Sequence, residues 1–304
     1  MRYNEKNGKR RNEMSECKLC PRLCGVNRAY GEIGYCGQGD TMTISRIALH
    51  PFEEPPISGE KGSGTVFFCG CSLGCVFCQN KAISRGGAVG REYGVEELAA
   101  QMLRLRDEGA TNVNLVTATH FTDKVAETLR MVRPELGIPV VWNSSGYESV
   151  ETLRMLDGLV DVYLPDFKYS SSELSALYSS ASDYPIVAIE AIKEMHRQVG
   201  KYEYADDGTL KSGVVIRHLV LPSHRKDSIE VVKALSDAVP VSDVLLSLMS
   251  QYTPDFALDT PYKQLHRRVT RFEYESVLDV AIKLGFDGFS QSGESAIKEY
   301  TPDF

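Results

Sequence analysis

The chain has 304 residues, of which 34 are basic and 41 acidic, and its formal net charge is −7. This length holds about two domains, or one large α/β domain with an appendage, and can bury a full core. The acidic balance argues against a nucleic-acid-binding protein, which would present a basic face. No apolar run is long enough to predict a transmembrane helix, so no membrane partner is expected.

Residues 1–16 form a polar, basic segment with no apolar stretch behind it, which predicts a solvated tail on a cytoplasmic protein. All eight cysteines then precede residue 79, at Cys17, Cys20, Cys24, Cys36, Cys69, Cys71, Cys75 and Cys78. Without a secretion signal, clustered cysteines indicate metal or cluster ligands and not a disulfide framework. The sequence therefore divides into the tail, a cysteine-rich segment at 17–62 and a scaffold at 63–304.

The first four cysteines have the spacing Cys17-x2-Cys20-x3-Cys24-x11-Cys36. So short a segment cannot fold on a core of its own, which predicts a metal that organises it. Two ligand identities stay open: zinc held by four thiolates, and an auxiliary [4Fe–4S] cluster. Such a cluster would be saturated and would relay electrons. A disulfide or free thiols are the weaker alternatives.

The scaffold alternates apolar runs with helical periodicity, which predicts parallel βαβ units. The predicted strands are TVFF (65–68), NVNLVTA (112–118), PVVWN (139–143), VDVYL (160–164), GVVIRHLVL (213–221) and DVLLSLM (243–249), with FDGFSQ (286–291) as a seventh. Six or seven units fall short of the full eight-stranded barrel. We therefore expect an α/β fold, a partial (β/α)6 barrel, with its chemistry at the C-terminal ends of the strands.

Local signals predict further boundaries. The helix after the second strand should stop at Pro134, and the helix that starts after Thr270 should end at Gly285. Capping-box spacing pairs Asp227 with Glu230 and Thr270 with Glu273. Residues 201–213 read as a surface hairpin. The hexapeptides QYTPDF (251–256) and EYTPDF (299–304) favour two similar surface turns, and the alternative is a C-terminus that folds over the barrel mouth.

The loop after the first strand holds Cys71-x3-Cys75-x2-Cys78. Three thiolates can bind three irons of a cubane and leave the fourth iron open to a ligand, whereas four would saturate the cluster. A structural zinc site would need a fourth protein ligand. Cys69, two residues before this trio, is expected to be a small buried hydrophobe.

At these residues the sequence resembles the radical S-adenosylmethionine (SAM) superfamily, with Phe77 at the aromatic position of the trio. The likeness covers nearly the whole chain from Cys17 and is greatest to a branch related to pyruvate formate-lyase activating enzymes. It is carried by CPRLCGVNR (20–28), EEPPISGEKGSGTVFF (53–68), LVTATHF (115–121), YLPDFKY (163–169), RHLVLP (217–222) and LMSQYTP (248–254).

The resemblance implies a radical SAM barrel in which SAM chelates the open iron of a [4Fe–4S] cluster. A reduced cluster would then cleave SAM to methionine and a 5′-deoxyadenosyl radical, which abstracts hydrogen from a substrate. The substrate would be a glycine of a partner enzyme, or else another protein, a peptide or a small molecule. An electron donor such as flavodoxin or ferredoxin is also implied.

The resemblance places SAM against the strand ends. Gln79-Asn80 is similar to the segment after the trio in activases, which puts Asn80 at the cofactor. Thr117 and Thr119 replace a glycine-rich motif that contacts the SAM amino group, and Asn143 and Ser145 match an element that holds the ribose and methionyl part. His120 is either a proton carrier near the substrate or a hydrogen-bonded structural histidine.

Asp166 and Lys168 match an Asp-x-Lys element of the activases. Residues two apart on a strand share a face, so both charges should point into one cavity. Lys168 would contact SAM and Asp166 would help to bind a monovalent cation; the alternative is an exposed ion pair. Arg217, in an apolar strand, is the candidate for the SAM carboxylate, and Gln251 with Tyr252 would face substrate.

Two other classes of function compete with this prediction. One is a metal-binding scaffold or electron-transfer protein without SAM chemistry. The other is a zinc hydrolase, which is disfavoured because the six histidines are scattered along the chain and form no ligand set.

Overall fold

The computed structural model describes residues 16–85 and 89–290. Within these ranges, seven strands run parallel in one sheet: β2 (Ser63–Phe68), β4 (Val113–Val116), β5 (Val140–Ser144), β6 (Val162–Pro165), β8 (Leu210–Leu219), β9 (Val244–Met249) and β10 (Asp287–Ser290). Their spatial order follows the chain from β2 to β10. The predicted open, partial barrel is therefore confirmed, including its seventh strand.

The α-helices of the described chain lie mostly between these strands. They are α1 (Pro55–Ser58), α2 (Lys81–Ser84), α3 (Val95–Asp107), α4 (Thr122–Leu136), α5 (Val150–Leu153), α6 (Ser172–Ser179), α7 (Tyr184–Val199), α8 (Arg225–Ala238) and α9 (Arg271–Leu284). In the part of the chain that the structure describes, no helix combines the length and apolar character needed to cross a bilayer.

Two antiparallel strands extend the sheet beyond β2 and were not predicted. The strand β1 (Met42–His50) pairs with β2, so that Ile47 lies opposite Val66, and β3 (Arg91–Tyr93) pairs with the far side of β1. The segment after the N-terminal cysteines therefore joins the same sheet as the barrel strands.

The parallel strands alternate between two cores. Outward side chains such as Trp142 and Tyr163 pack under the helices, where both are fully buried. Inward side chains of β5, β6, β8 and β9 pack with Ile57 of α1, which closes one end of the barrel interior. Because the strands alternate with period two, the polar residues at their other ends face the same interior.

Two local predictions are wrong. Helix α4 continues through Pro134 to Leu136 and ends at Gly137 in the left-handed conformation. The proline lies in the last turn, where the backbone carbonyl that it leaves without a partner can face solvent. Helix α8 has no side-chain cap, because the Asp227 carboxylate instead accepts the backbone N–H of Ser171 at 2.8 Å.

Other boundaries are confirmed. Thr270 and Glu273 form a reciprocal capping box, and α9 ends at Gly285 with φ 84°. The short strand β7 (Glu203–Tyr204) pairs antiparallel with β8 and forms the expected hairpin. Of the two hexapeptides, 299–304 lies outside the described residues.

A substitution at Gly146 tests how closely the turn after β5 packs against the residues that follow β6. Its φ is 73°, and a Cβ there would overlap the carbonyl oxygen of Asp166, whereas Gly137 has φ 67° and nothing within 4 Å. We expect Gly137→Ala to cost about 1 kcal/mol of unfolding free energy from backbone strain. Gly146→Ala should cost about 1–3 kcal/mol more from the overlap. Equal urea midpoints for the two variants would contradict this packing.

Candidate functional site

A cavity of about 250 Å³ opens at the C-terminal ends of the parallel strands. Most of the predicted site residues meet there, near the ends of six parallel strands or on the loops that follow them. The predicted residues in its wall are Cys71, Cys75, Phe77, Cys78, Asn80, Thr117, Asn143, Ser145, Asp166, Lys168, Arg217 and Gln251. Convergence of side chains from so many segments is typical of an active site on a barrel.

The cysteine trio lies on the loop between β2 and α2. The backbone N–H of Leu73 donates to Cys71 Sγ at 3.4 Å, and the Ser179 hydroxyl donates to Cys75 Sγ at 3.0 Å. Burial raises the pKa of the Cys71 thiol, and it raises that of Cys78 to about 11, with repulsion from Cys75 adding to both. Three thiolates can therefore coexist here only when a cationic group neutralises them.

A cubane cluster suits a trio of thiols better than a structural zinc ion, which would need a fourth protein ligand. Within residues 16–85 and 89–290, no three His, Cys, Asp or Glu side chains already form the ligand set of one metal ion. In a [4Fe–4S] cluster each thiolate binds its own iron, so the sulfur atoms need not converge on one point. The trio is thus suited to hold three irons along one wall of the cavity.

A group of buried charges forms another wall. Asp166 accepts from Lys168 Nζ at 2.5 Å and from Arg217 Nε at 2.9 Å. Burial opposes ionisation of Asp166, but the two cations outweigh it and lower the pKa of the carboxyl. These side chains are only 16–19% exposed, so the alternative of an exposed ion pair is wrong.

Arg217 lies in the cavity, yet its donors are already engaged by the protein. Besides Asp166, its guanidinium donates to Asn143 Oδ1 at 2.6 Å and lies 3.5 Å from Glu53 Oε2. A bidentate bond from Arg217 to a ligand carboxylate would require one of these partners to leave. Its primary role in this geometry is to orient Asp166 and Asn143.

Glu53 is a site residue that sequence reasoning missed. It lies between β1 and α1 and reaches the cavity, where Oε1 accepts from the amides of Asn114 at 3.0 Å and Asn143 at 3.3 Å. Burial raises the pKa of Glu53 to about 7, although Arg217 opposes the shift. The only sequence signal was its place in the EEPP run, which carries no periodicity.

The structure places His120 and Thr119 outside the cavity wall. Thr117, at φ 61°, turns the chain after β4 into a short 3-10 helix at Thr119–Phe121. The His120 ring is 1% exposed, lies 2.7 Å through Nε2 from the carbonyl oxygen of Cys69, and has its pKa lowered to about 4 by burial. This geometry matches the structural alternative and corrects the placement of His120 beside substrate.

Glu148 explains where Thr119 points, and it too was missed. Its buried carboxylate accepts from Thr119 Oγ1 at 3.0 Å, Trp142 Nε1 at 2.7 Å and Ser144 Oγ at 2.6 Å. These bonds join the end of β4 to the end of β5, directly behind the cavity wall. Thr119 is therefore a positioning residue in this structure.

Two other predicted residues are placed by packing. Tyr252 is 1% exposed and donates its hydroxyl to the carbonyl of Leu265 at 2.8 Å. It therefore does not line the cavity, contrary to the prediction that it would face substrate. Its ring packs edge-on against Phe77, with centroids 5.9 Å apart. Cys69 is fully buried beside Phe67 and Val116, which confirms its interpretation as a small hydrophobe.

The N-terminal cysteines form a compact segment, residues 17–39, which we call the cysteine knuckle. It packs directly on the loop that carries the trio, because the Cys71 N–H donates to the carbonyl of Cys36 at 3.3 Å. Within the knuckle, Cys20 and Cys36 are buried and Cys24 is exposed. The two predicted groups of cysteines are therefore neighbours in space.

Comparison with known proteins identifies the family to which this chain belongs. The family model of the radical SAM superfamily matches residues 65–205. Uncharacterized protein MJ0674 of Methanocaldococcus jannaschii is 33% identical over 290 residues, which cover 91% of this chain and 77% of that protein. The chain belongs to the radical SAM superfamily. A [4Fe–4S] cluster and SAM are the cofactors that this family implies, and the cavity holds the thiols for such a cluster.

One solved structure shares the fold. SuiB of Streptococcus suis bound to S-adenosylmethionine superposes with a TM-score of 0.50 at 14% identity, over 73% of this chain and 48% of SuiB. The chain thus spans about half the length of SuiB. A domain of a pyruvate-formate lyase-activating enzyme from Bacteroides vulgatus superposes less closely, with a TM-score of 0.41 at 11% identity, over 56% of this chain and 90% of that domain.

Protonation of Glu53 should make stability depend on pH. Because burial raises its pKa from 4.5 to about 7, the folded state holds a proton that the unfolded state releases between those values. Glu53 thus contributes stability below about pH 4.5 that is lost as the pH rises to about 7. Relative to Glu53→Gln, the wild type should lose on the order of 3 kcal/mol of unfolding free energy across that window.

Chemical unfolding of both proteins at matched metal content, at several pH values, checks this expectation. Glu190→Gln is the control, because Glu190 lies in an exposed pair with Lys193 that should contribute little at any pH. A constant difference between the wild type and Glu53→Gln across the window would contradict the buried, proton-holding state of Glu53.

Proposed function

We propose that this radical SAM enzyme binds its [4Fe–4S] cluster through Cys71, Cys75 and Cys78 and binds SAM against the charged strand ends. The observation that carries the proposal is the meeting of three thiols with Asp166, Lys168 and Arg217 around one cavity. When bound and reduced, the cluster supplies the electron that cleaves SAM to a hydrogen-abstracting 5′-deoxyadenosyl radical.

The side chains of the cavity match the polar parts of SAM. Lys168 is the cation best placed for the carboxylate, because a single bond to Asp166 leaves its other ammonium protons available. Asn143 and Ser145, both in the cavity wall, would hold the ribose and methionyl part, as the resemblance implies. When SAM binds, Glu53 would release the proton that burial favours and offer a carboxylate to the SAM ammonium group, a role for which the Thr117–His120 segment provides no acid.

A monovalent cation at Asp166 is a narrower proposal. Both carboxylate oxygens already accept from Lys168 and Arg217. We infer that a cation binds here only when SAM draws Lys168 away from Asp166. The ion would then replace the positive charge that Asp166 loses.

The substrate is proposed from the resemblance to the activases. It would be a glycine of a partner enzyme, with another protein, a peptide or a small molecule as the alternatives. A flavodoxin or ferredoxin would supply the electron, and a cytoplasmic location remains a prediction. The cysteine knuckle is proposed to hold a second metal, either zinc or an auxiliary cluster.

Removal of the trio tests the reaction. We expect the Cys71/Cys75/Cys78→Ala variant to lose about four irons, the content of one [4Fe–4S] cluster. It should form no 5′-deoxyadenosine with SAM and dithionite, because no cluster remains to deliver the electron. Cys69→Ala, which changes a buried cysteine outside the cavity wall, should keep both properties. Dithionite-dependent 5′-deoxyadenosine from the triple variant would refute the mechanism.

Lys168 tests the mode of SAM binding. Since a hydrogen bond to a charged group contributes about 1.5–3 kcal/mol, Lys168→Ala should weaken SAM binding roughly 10- to 100-fold. The iron content should not change, because Lys168 is not a ligand. Lys193→Ala is the matched control, since Lys193 forms an ion pair of 2.8 Å outside the cavity. Wild-type SAM affinity of Lys168→Ala in anaerobic titration calorimetry would exclude the assignment.

A further inference from the structure

The backbone of the cysteine knuckle gathers four thiols. Gly25 N–H donates to the carbonyl of Cys17 at 3.2 Å, and Cys17 N–H to that of Val26 at 2.9 Å, which closes a loop around Cys20 and Cys24. A Cβ at Gly34 would lie 3.3 Å from Cys24 Sγ and 3.5 Å from Cys36 Sγ, so these sulfur atoms flank one position.

The knuckle has little apolar core to hold these turns together. Its large apolar side chains face outward: Leu23 is 62% exposed, Tyr30 70%, Ile33 64% and Tyr35 47%. The cysteines Cys20 and Cys36 are buried instead, at 7% and 8%. A small segment with thiols at its centre and apolar groups outside is stabilised by metal binding, which supplies the missing folding energy.

Arg28 is a buried cation of the knuckle. This arginine is 8% exposed and donates Nε to the carbonyl of Gly39 at 2.6 Å and Nη1 to that of His120 at 2.5 Å. Its Nη2 is buried and has no hydrogen-bond partner in the structure. Among residues 16–85 and 89–290, Arg28 forms no ion pair with a carboxylate.

A buried cation is costly unless an anion lies nearby. Arg28 lies within the knuckle itself, with its guanidinium buried between the carbonyls of Gly39 and His120. Four thiolates around Zn²⁺, or around an oxidised [4Fe–4S] cluster, make a dianionic centre in either case. Such a centre would neutralise Arg28, which no described carboxylate does.

The knuckle also holds the loop that carries Cys71. Besides the bond from Cys71 N–H to the Cys36 carbonyl, Arg22 donates to the carbonyls of Ser72 at 2.7 Å and Leu73 at 3.1 Å. Gly70 has φ 86°, and a Cβ there would lie 2.6 Å from the Cys36 oxygen, so only glycine permits this approach. Disorder in the knuckle would therefore release the first cysteine of the trio.

We propose that Cys17, Cys20, Cys24 and Cys36 bind a dianionic tetrathiolate metal centre, that Arg28 is its counter-charge, and that the centre positions the loop bearing Cys71. The metal site stands independently of radical chemistry. Only its effect on the trio rests on the proposed function. The thiols do not yet surround a single point, so binding includes rotation of their side chains on turns that the backbone already forms.

Metal content separates this site from the trio. In the Cys71/Cys75/Cys78→Ala variant, purified anaerobically, we expect either one zinc, or about four irons with sulfide, per chain. Which of the two is found identifies the centre. Adding Cys20→Ala should remove that metal, whereas adding Cys69→Ala should not. A triple variant that binds no zinc, and no iron after reconstitution with iron and sulfide, overturns the proposal.

Cobalt binding gives a measurement that does not depend on which metal the protein carries after purification. Titrated into the triple variant stripped of metal, Co²⁺ should produce the intense sulfur-to-metal absorption and visible bands of a tetrahedral thiolate site. Four cysteines should become protected from alkylation as the ion binds. Octahedral Co²⁺ spectra, or fewer than three protected thiols, would exclude the tetrathiolate assignment even if the Cys20→Ala chain fails to fold.

Arg28 is tested as a positioning residue. Because changes to such supporting groups weaken metal binding roughly 10- to 100-fold, Arg28→Gln should lower cobalt affinity by that factor. Arg28→Lys should recover part of it by restoring the charge. Lys18→Gln, which removes a cation that is 69% exposed in the same segment, is the control. Equal affinities of Arg28→Gln and wild type would overturn the counter-charge.

The effect of the knuckle on the Cys71 loop is tested in a protein that retains Cys71, Cys75 and Cys78. After gel filtration, Cys20→Ala alone should retain fewer than about four irons per chain, the content of the trio's own [4Fe–4S] cluster, whereas Cys69→Ala should retain at least that number. Full retention would overturn the positioning role while the metal counts above still decide the site. Absence of SAM cleavage in the wild type would refute the proposed function and would leave every metal measurement valid.

Discussion

Asp166 is the residue on which both the barrel and its cavity depend. Beyond Tyr163 opposite Val214, β6 and β8 meet again at the bridge between Asp166 and Arg217. The Asp166 carbonyl accepts from the Tyr184 hydroxyl at 2.8 Å, and its carboxylate holds Lys168 and Arg217. Asp166 thus adds a contact between β6 and β8, which share only two other residue pairs in the described part of the sheet. Its carboxylate also holds two cations at the cavity wall where the cofactor is proposed to bind. Without it, these cations would lie buried and unpaired, which is far more costly than the pair.

The side chains inside the barrel form an apolar layer and, above it, a polar layer that lines the cavity. Lower in the barrel, Ile57 of α1 packs among valines and leucines of four strands and fills the interior with apolar side chains. Above that layer lie the side chains of Glu53, Asn114, Asn143 and Arg217, which are linked to one another by hydrogen bonds. Polar groups that are already partnered can line a cavity without collapsing it, and they remain able to exchange a partner for a ligand.

The two groups of cysteines form one structural unit. The trio loop bends at Gly70, which allows the Cys36 carbonyl to approach the Cys71 amide. On the opposite side, Arg28 donates to the carbonyl of His120, at the end of the segment that follows β4. The knuckle therefore contacts both the cluster loop and a strand end of the cavity. Such a position suits a segment that controls the geometry of the site from behind.

The sequence by itself determined the features that depend on near neighbours in the chain. The spacing of Cys71, Cys75 and Cys78 predicts a cluster-binding loop, because three thiols within one turn-rich loop can reach one cofactor. The shared face of Asp166 and Lys168 follows from the two-residue period of a strand. The parallel strands followed from the alternation of apolar runs with helices, and the family followed from motifs spread over the whole chain.

Only the tertiary structure decided which distant residues meet. Glu53 arrives from a loop before the barrel, and Glu148 fixes Thr119 from another turn, so no local pattern could mark either one. The left-handed backbone conformation of Thr117 directs His120 behind the cavity wall. Tertiary packing determines this placement, which the residue types alone do not. The same holds for Arg28, which is buried without a carboxylate partner among the described residues, because the energy of a buried charge depends on everything around it.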